Sequence, residues 1–397
     1  MKGKTPIEDI PLKLGKSKTT AAGIPAIISS AKQSLKKMGL SNTIKTLRMV
    51  NQQDGFDCPG CAWPDPEHRS SFEFCENGAK AVANEAMKAN VDAKFFTKYS
   101  LKELTKKSDY WLNNQGRIKQ PMYLALGATH YTPISWEKSL ELISNKLNSL
   151  PNPNRAVFYT SGRTSNEAAF LYQAFVRLFG TNNLPDCSNM CHESSGKALV
   201  QTIGIGKGTV TLDDFNHADT ILVIGQNPGT NHPRMLTALR DAKLKGAKII
   251  HINPLPETGL VRFKHPQDYM KLDLSSTGLA DMHLQVKIGG DAALLQAINK
   301  LTIDSESIDN KFISKKTKSY NEFAKSLQQI DWERIETDSG IPRSEIKKFS
   351  DIIVKSKSII SCWAMGLTQH KHGVHVIQEV VNLHLLGGHI GRIAAGL

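Results

Sequence analysis

Short apolar runs alternate with amphipathic stretches through most of the chain after residue 135. The runs are five or six residues long and lack the strict polar alternation of a half-exposed strand: Ala156–Thr160, Thr220–Ile224, Ala247–Ile252 and Ser358–Cys362. Apolar residues recur at helical spacing in 136–147, 167–179, 232–244 and 374–386. Such runs are typical of strands buried on both faces of a parallel sheet. The pattern predicts an α/β fold with doubly wound parallel sheets.

A polar loop follows each apolar run. The loops are Ser161–Arg163, Gly225–Gly229, Asn253–Pro254 and Trp363–Gly366. Ligands of parallel sheets collect at the carboxyl ends of the strands, so these four loops are predicted to line one cleft. A Gly-x-x-x-x-Gly-Lys-Ser/Thr loop is absent from the sequence, and Gly204–Gly208 does not follow a strand. Nucleotide hydrolysis and a nicotinamide site are therefore disfavoured.

Three cysteines lie in a segment rich in glycine, proline and aspartate. Cys58 and Cys61 are separated by two residues, which allows both sulfurs to reach one metal, and Cys75 follows after thirteen more residues. Three thiolates and one further ligand can hold an iron–sulfur cluster. The candidates for that further ligand are Asp65, His68 and Cys187. Spacing alone leaves a zinc site or a redox dithiol open.

Cys191 is followed directly by His192 in a polar segment after the helix predicted at 167–179. A thiolate suits a transition metal and an adjacent imidazole can accept a proton, so the pair predicts a redox metal site. A buried inert thiol and a hydrogen-bonded structural histidine are the alternatives. Cys187 and Cys362 are expected to be structural. The later histidines are expected at the surface or in contact with a cofactor: His370, His372, His375, His384 and His389.

Composition narrows the class of protein. A length of 397 residues with 40% hydrophobic residues predicts two or three globular domains, and no apolar run is long enough to span a membrane. Without an export signal, the expected location is the cytoplasm, where six unevenly spaced cysteines favour metal ligation over disulfides. The net charge is +13, but the lysines are scattered, so nucleic acid is not an expected partner. Positive potential would favour a cofactor that carries phosphates.

Taken in order, the motifs resemble the formate-dehydrogenase-like branch of the molybdopterin oxidoreductases. The motifs that carry the resemblance are Asp57–Pro64, Phe74–Lys80, Ser161–Glu167, Gly180–Asn183, Cys191-His192, Gly225–Pro228, Ile252–Leu255 and Gly366–His370. The similarity runs from about residue 54 to the C-terminus. It implies two cofactors, Mo-bis(molybdopterin guanine dinucleotide) and a [4Fe-4S] cluster.

The resemblance also implies roles for individual residues. Cys191 matches the molybdenum ligand, His192 matches the histidine that accepts the substrate proton, and Lys80 lies near the lysine between cluster and pterin. The implied cluster ligands are Cys58, Cys61 and Cys75. The implied cofactor-binding residues are Arg163, Gly225, Gln226, Asn227, Asn231, Asn253, Pro254, Gly366 and Gln369.

The domains expected from the motifs and the resemblance follow one another along the chain. They are a flexible arm at 1–50, an iron–sulfur-type domain at 51–135, the first part of a split α/β domain at 136–187, and a truncated α/β cofactor-binding domain at 188–397. A C-terminal β-barrel, present in the family, is expected to be missing. A separate chain that supplies the second half is one expected partner, beside a small-molecule substrate and a redox partner protein.

One departure from the family concerns the cluster, because Asp65 stands where the family has its third cluster cysteine. Three hypotheses about function therefore remain open. The first is a molybdenum oxidoreductase that oxidises a small acid such as formate. The second is an inactive remnant or one half of a split enzyme. The third is a zinc-binding interaction module.

Overall fold

The computed structural model describes residues 15–61, 63–162, 164–271 and 275–397. The chain divides into two compact units. The first comprises 1–17, 28–60 and 70–186, and the second comprises 18–27, 61–69 and 187–397. None of the helices over the described ranges combines the length and the apolar character that a bilayer-spanning segment requires.

Helices account for most of the regular structure. In chain order the α-helices of the described residues are α1 (Gly23–Met38), α2 (Leu40–Leu47), α3 (Glu76–Glu85), α4 (Ala93–Lys98), α5 (Leu101–Leu104), α6 (Asp109–Asn113), α7 (Trp136–Asn148), α8 (Asn166–Phe179), α9 (Cys187–Ile203), α10 (Pro228–Asn231), α11 (Met235–Leu244), α12 (Thr258–Val261), α13 (Asp291–Asp304), α14 (Asn310–Lys316), α15 (Tyr320–Gln328), α16 (Trp332–Ser339), α17 (Arg343–Lys355), α18 (Met365–Thr368) and α19 (Gly373–Leu386).

The strands are short. They are β1 (Ala21–Ala22), β2 (Asn90–Val91), β3 (Arg117–Ile118), β4 (Met122–Tyr123), β5 (Thr132–Pro133), β6 (Thr220–Ile224), β7 (Lys248–Ile252), β8 (Phe263–Lys264), β9 (Met282–Leu284) and β10 (Ile359–Trp363). β4 and β5 pair antiparallel and form a hairpin.

A four-stranded parallel sheet organises the second unit, in the order β10-β6-β7-β9. Every residue of β6 is buried, because helices cover both faces. Leu222 and Ile224 belong to the core formed with α13, α17 and α19. Ile221 and Val223 face the opposite core, formed with α11 and α12. Three of the four apolar runs are therefore strands of one doubly covered parallel sheet, as predicted.

The helix boundaries follow local capping. Ser135 and Ser165 each accept a hydrogen bond from a backbone N–H of the helix that they precede, α7 and α8. α8 ends at Gly180, whose φ of 103° is the left-handed conformation that glycine adopts without a steric penalty. α3 begins at Glu76, and the Cys75 sulfur caps its first turn by accepting from Gly78 N.

The expected strand at 156–160 does not form, and this prediction was wrong for the described residues. The segment makes one hydrogen bond from Phe158 N to Asn183 O, at 2.9 Å, and a single bridge from Thr160 to Asp186. Val157 is 67% exposed. A strand needs a neighbouring strand that pairs with its backbone N–H and C=O groups. No described strand of the first unit lies beside residues 156–160.

The N-terminal part contains two features of note. The described part of the segment 1–50, predicted as a flexible arm, contains the helices α1 and α2. In the first unit, α7 and α8 leave large apolar side chains in solvent: Trp136, Leu140, Ile143, Phe170, Leu171 and Leu178. These two helices lack a covering layer among the described residues of their unit.

Candidate active site at the strand ends of the second unit

The carboxyl ends of β10, β6, β7 and β9 lie along one edge of the sheet, because all four strands are parallel. The loops at this edge carry nearly all of the residues predicted to bind a cofactor. Gly225, Gln226 and Asn227 follow β6, Asn253 and Pro254 follow β7, and Gly366 and Gln369 follow β10. Asn231 ends the short helix α10 behind the first of these loops. Arg163 lies outside the described residues.

Two glycines join the loops after β6 and β10. The Gly366 N–H donates to the Gly225 carbonyl at 3.0 Å. A Cβ added to Gly366 would lie 2.5 Å from Gly225 Cα, and Gly225 itself has a φ of 56°. The Gly225 N–H donates in turn to Ile252 O, at 2.9 Å, which ties the same loop to the end of β7. At this crossing of the two loops, neither Gly225 nor Gly366 has room for a side chain.

Glu257 links the loops after β6 and β7, and sequence analysis missed it. Its Oε2 accepts a hydrogen bond from Asn227 Nδ2 at 2.6 Å, and its Oε1 accepts one from Asn253 Nδ2 at 3.4 Å. The Asn227 Oδ1 caps α10 by accepting from Thr230 N. Both predicted asparagines are thus held in fixed orientations by one carboxylate. An acidic residue between a strand end and a helix start is the signal that could have identified Glu257.

A cavity of about 700 Å³ opens beside the ends of β7 and β9. Pro254, His283, Gln285 and Lys287 line it, together with residues 340–342. Asp291, which begins α13 after β9, is 6% exposed, and burial raises the pKa of its carboxyl to about 6. Sequence analysis did not single out Asp291 either.

Cys191 and His192 lie in the first turns of α9, where the helix is interrupted. His192 has a φ of −128° and a ψ of 17°, which are not helical values. Cys191 is partly exposed. Its carbonyl, with that of Met190, accepts from Gln369 Nε2 at 3.4 and 3.1 Å. The cysteine therefore lies beside the loop after β10, and not among aliphatic side chains of the core.

Two histidines near this turn favour the neutral form. His192 reaches solvent, but loss of water around its ring lowers its pKa from the usual value. The pKa of His232 is lowered by burial and then by the charge of His192. Gln226 Nε2 lies 3.4 Å from His232 Nδ1. At pH 7 both rings can consequently accept a proton.

Buried polar atoms without hydrogen-bond partners at this edge indicate whether a polar cofactor could bind there. Gln226 Oε1 and Thr368 Oγ1 are buried and have no hydrogen-bond partner among the described residues. Orphaned acceptors and donors are costly unless a ligand or water satisfies them. With a partly exposed thiol, close-packed glycines and fixed asparagines, these atoms fit a large polar cofactor bound at the strand ends.

The first unit brings two of the three clustered thiols together. Cys75 Sγ accepts a hydrogen bond from Gly78 N at 3.3 Å. A Cβ on Gly78 would lie 2.9 Å from Cys58 Sγ and 3.7 Å from Cys75 Sγ. Cys61 belongs to the second unit. Within 15–61, 63–162, 164–271 and 275–397, no three histidine, cysteine or acidic side chains are close enough to hold a metal ion. The residues described thus fit a cluster only in part.

The Asp65 carboxylate takes part in ion pairs with two arginines. It pairs with Arg234 at 2.8 Å and with Arg69 at 3.6 Å. Lys80 is exposed on α3. The pKa of Lys37 is lowered mainly by its own burial and secondly by the positive charge of Lys80. Neither observation tests the proposed path of electrons through Lys80, which stays a prediction.

The late histidines are divided between surface and core. His384 is fully buried, with Nε2 2.7 Å from Ser361 Oγ, and His389 is also buried. Their expected surface or cofactor-contacting position was wrong, because α19 packs both of its sides into the second unit. Burial raises the pKa of the Cys362 thiol to about 12, in agreement with its expected structural role.

Comparison with known proteins gives a consistent result. The chain matches the molybdopterin oxidoreductase family model over residues 117–397. It is 49% identical over 387 residues to an uncharacterized oxidoreductase of Mycobacterium tuberculosis. That alignment covers 96% of this chain and 50% of the mycobacterial protein. It is 28% identical over 286 residues to formate dehydrogenase H of Escherichia coli, over 71% of this chain and 38% of that protein.

A solved structure supports the same fold. Acetylene hydratase from Pelobacter acetylenicus matches with a TM-score of 0.57 and 20% identity, over 68% of this chain and 35% of that one. The chain spans about half the length of its mycobacterial relative. The family match covers most of the chain. The chain therefore belongs to the molybdopterin oxidoreductase family, whose membership implies a molybdenum–pterin cofactor.

Proposed function

We propose that this chain forms the metal-ligating and cofactor-binding part of a molybdenum oxidoreductase that oxidises a small acid such as formate by two electrons. The supporting observation is the contact of the Cys191 turn with Gln369, at the edge where the predicted cofactor-binding loops meet. Similarity to formate dehydrogenase H favours formate among small acids.

In this proposal Cys191 is the protein ligand of molybdenum, as its soft sulfur suits that metal. The bound molybdenum–pterin group supplies the acceptor for two electrons. His192 takes the substrate proton on its unprotonated ring nitrogen, for which the lowered pKa of its imidazole is favourable. Its position next to Cys191 in the chain keeps the proton acceptor close to the reacting carbon.

The strand-end loops would hold the cofactor in the form of two molybdopterin guanine dinucleotides. Gln226 offers a buried oxygen without a partner, and Asn227 and Asn253 are oriented by Glu257. The cavity beside Pro254 has the size expected for a nucleoside portion, and Lys287 on its wall favours an anion. Asn231, Gly225, Gly366 and Gln369 complete the proposed binding surface.

A [4Fe-4S] cluster at Cys58, Cys61 and Cys75 remains part of the proposal, with Lys80 between cluster and pterin, but no step is derived through it. The convergence of Cys58 and Cys75 on Gly78 equally suits zinc. Iron and zinc analysis of the purified chain distinguishes the two metals. The expected location is the cytoplasm, and a redox partner protein would accept the electrons.

The proposed enzyme also needs a second polypeptide segment, on this chain or another. Support comes from the exposed apolar side chains of α7 and α8, such as Leu178 at 88%, and from the segment 156–160, which forms a single bridge and no strand. The relatives are about twice as long as this chain. A chain without that segment would be the inactive half proposed as the alternative.

The proposal is tested by comparing three forms of the protein made in a host that synthesises the cofactor. Formate-dependent dye reduction is measured in the wild type, in Cys191→Ala and in the control Cys187→Ala, together with molybdenum content. With the second segment present, we expect activity in the wild type and the control, and none in Cys191→Ala. Without it, all three forms should be weakly active or inactive. Equal, measurable rates in Cys191→Ala and the wild type would remove Cys191 from the reaction.

A further inference from the structure

A side chain from outside α9 contacts the helix backbone directly before its interruption at His192. A non-helical residue inside a helix disturbs the regular hydrogen bonds around it, and side chains that bind the backbone there can stabilise the altered turn. The Gln369 side-chain amide is such a donor, since its Nε2 lies 3.1 Å from Met190 O and 3.4 Å from Cys191 O.

The other side of the interruption is held by the same loop. Ser194 Oγ donates to the Thr368 carbonyl at 2.9 Å. Trp363 Nε1 donates to Ser195 Oγ, also at 2.9 Å, and Ser195 is buried. Side chains of α9 and of segment 363–369 therefore form hydrogen bonds on both sides of His192.

Segment 363–369 is itself fixed to the sheet. Trp363 is the last residue of β10 and lies opposite Ile224 in the register with β6. Three residues later, Gly366 donates its N–H to Gly225 at a contact too close for any side chain. The loop is thus attached to the central strand at both ends of its first turn, and it cannot shift without breaking sheet contacts.

We propose that Gln369, Ser194 and Trp363 are positioning residues that hold the interrupted turn bearing Cys191 and His192 at the strand-end edge. Both carbonyl contacts use the amide nitrogen of Gln369. This side chain therefore acts on Cys191 through the backbone, and only its oxygen remains for a cofactor. The consequence for catalysis rests on the proposed function, but the positioning itself does not.

The experiment uses the purified full chain without added metal. The rate of alkylation of Cys191 by iodoacetamide is measured by mass spectrometry, relative to that of the partly buried Cys362, for Gln369→Met, Ser194→Ala and Ser194→Thr. Gln378→Met is the matched control, because Gln378 also donates to α9, at Gln201 Oε1 (3.1 Å), but far from the interruption. Hydrogen exchange of amides 190–195 is followed in the same samples.

We expect Gln369→Met and Ser194→Ala to raise the Cys191 to Cys362 rate ratio about fivefold, the effect of one lost hydrogen bond on local opening. Ser194→Thr, which keeps the hydroxyl, and Gln378→Met should retain the wild-type ratio and the wild-type exchange at 190–195. General unfolding would accelerate the reaction of Cys362 as well and so would not raise the ratio. An unchanged ratio in Gln369→Met and Ser194→Ala overturns the proposal. Because no turnover is measured, this result is independent of whether formate is oxidised.

Discussion

Gly366 donates its N–H to the Gly225 carbonyl at 3.0 Å, and the two backbones lie so close that a Cβ on Gly366 would be 2.5 Å from Gly225 Cα. This crossing sets the spacing of the loops that carry Gln226 and Gln369. It also explains why glycine occurs immediately after β6 and shortly after β10, where a side chain would force the two strand ends apart.

Replacement of Gly366 by alanine should consequently destabilise the second unit. The new Cβ would lie 2.5 Å from Gly225 Cα, and such overpacking costs about 2–3 kcal/mol in the free energy of unfolding. Gly196→Ala is the control, because no heavy atom outside its own helix lies within 4 Å of the added Cβ. There alanine should stabilise α9 by about 1 kcal/mol. Urea unfolding midpoints measure both effects, and equal midpoints for the two variants would contradict the crossing.

Glu257→Ala should loosen the loops after β6 and β7 together. The Nδ2 groups of Asn227 and Asn253 would lose their shared acceptor, at a cost of about 2 kcal/mol. Retention of pterin by the purified protein, followed by fluorescence after oxidation, should fall. Glu322→Ala, on the exposed side of α15, is the control and should retain as much pterin as the wild type. Full retention in Glu257→Ala would exclude this bridge as a support of the cofactor site.

Asp65→Asn distinguishes an ion pair from a cluster ligand. The substitution removes the negative charge 2.8 Å from the Arg234 guanidinium, whose side chain is 11% exposed. We expect a loss of about 2 kcal/mol in the free energy of unfolding and an unchanged iron content. Iron that disappears in Asp65→Asn while Arg234→Gln keeps it would show that Asp65 does ligate the cluster.

Three buried histidines make stability depend on pH. Burial lowers the pKa of His384 to about 3 and those of His251 and His389 to about 4, whereas the unfolded chain titrates near 6.5. As pH falls below about 6.5, the unfolded state binds protons that the folded state does not, so stability present at pH 7 is progressively lost. Each histidine then contributes a loss of about 2 kcal/mol at pH 5.

The measurement is the urea midpoint of the wild type and of His384→Gln between pH 7 and pH 4.5. His384→Gln should have a lower midpoint at pH 7, because its contact with Ser361 changes, but a shallower decline toward acid pH. His372→Gln, at the surface next to α19, is the control and should keep the wild-type slope. A midpoint that is constant over this range would contradict the assignment of neutral buried histidines.

Several elements of each unit could be predicted because their determinants are local. The continuous apolar run of β6 identifies a buried strand, Ser135 and Ser165 identify helix starts, and Gly180 identifies a helix end. Neighbouring positions in sequence determine all of these features, and they locate the strand-end loops without further information.

The remaining features depend on partners distant in sequence. The segment 156–160 has the composition of a strand but lacks a neighbour to pair with, and Asp65 is bound by an arginine 169 positions later. The burial of His384 depends on how α19 packs against β10. The link between Gln369 and Cys191 joins residues far apart in the chain. Local pattern and spacing cannot identify such contacts.

X-ray absorption at the molybdenum edge tests the central claim most directly. The protein is prepared in a host that makes the cofactor, as wild type, Cys191→Ser and the control Cys187→Ser. One sulfur ligand of molybdenum should be replaced by oxygen in Cys191→Ser and retained in the other two proteins. An identical sulfur count in Cys191→Ser and the wild type, or a wild-type chain that binds no molybdenum, would contradict the account.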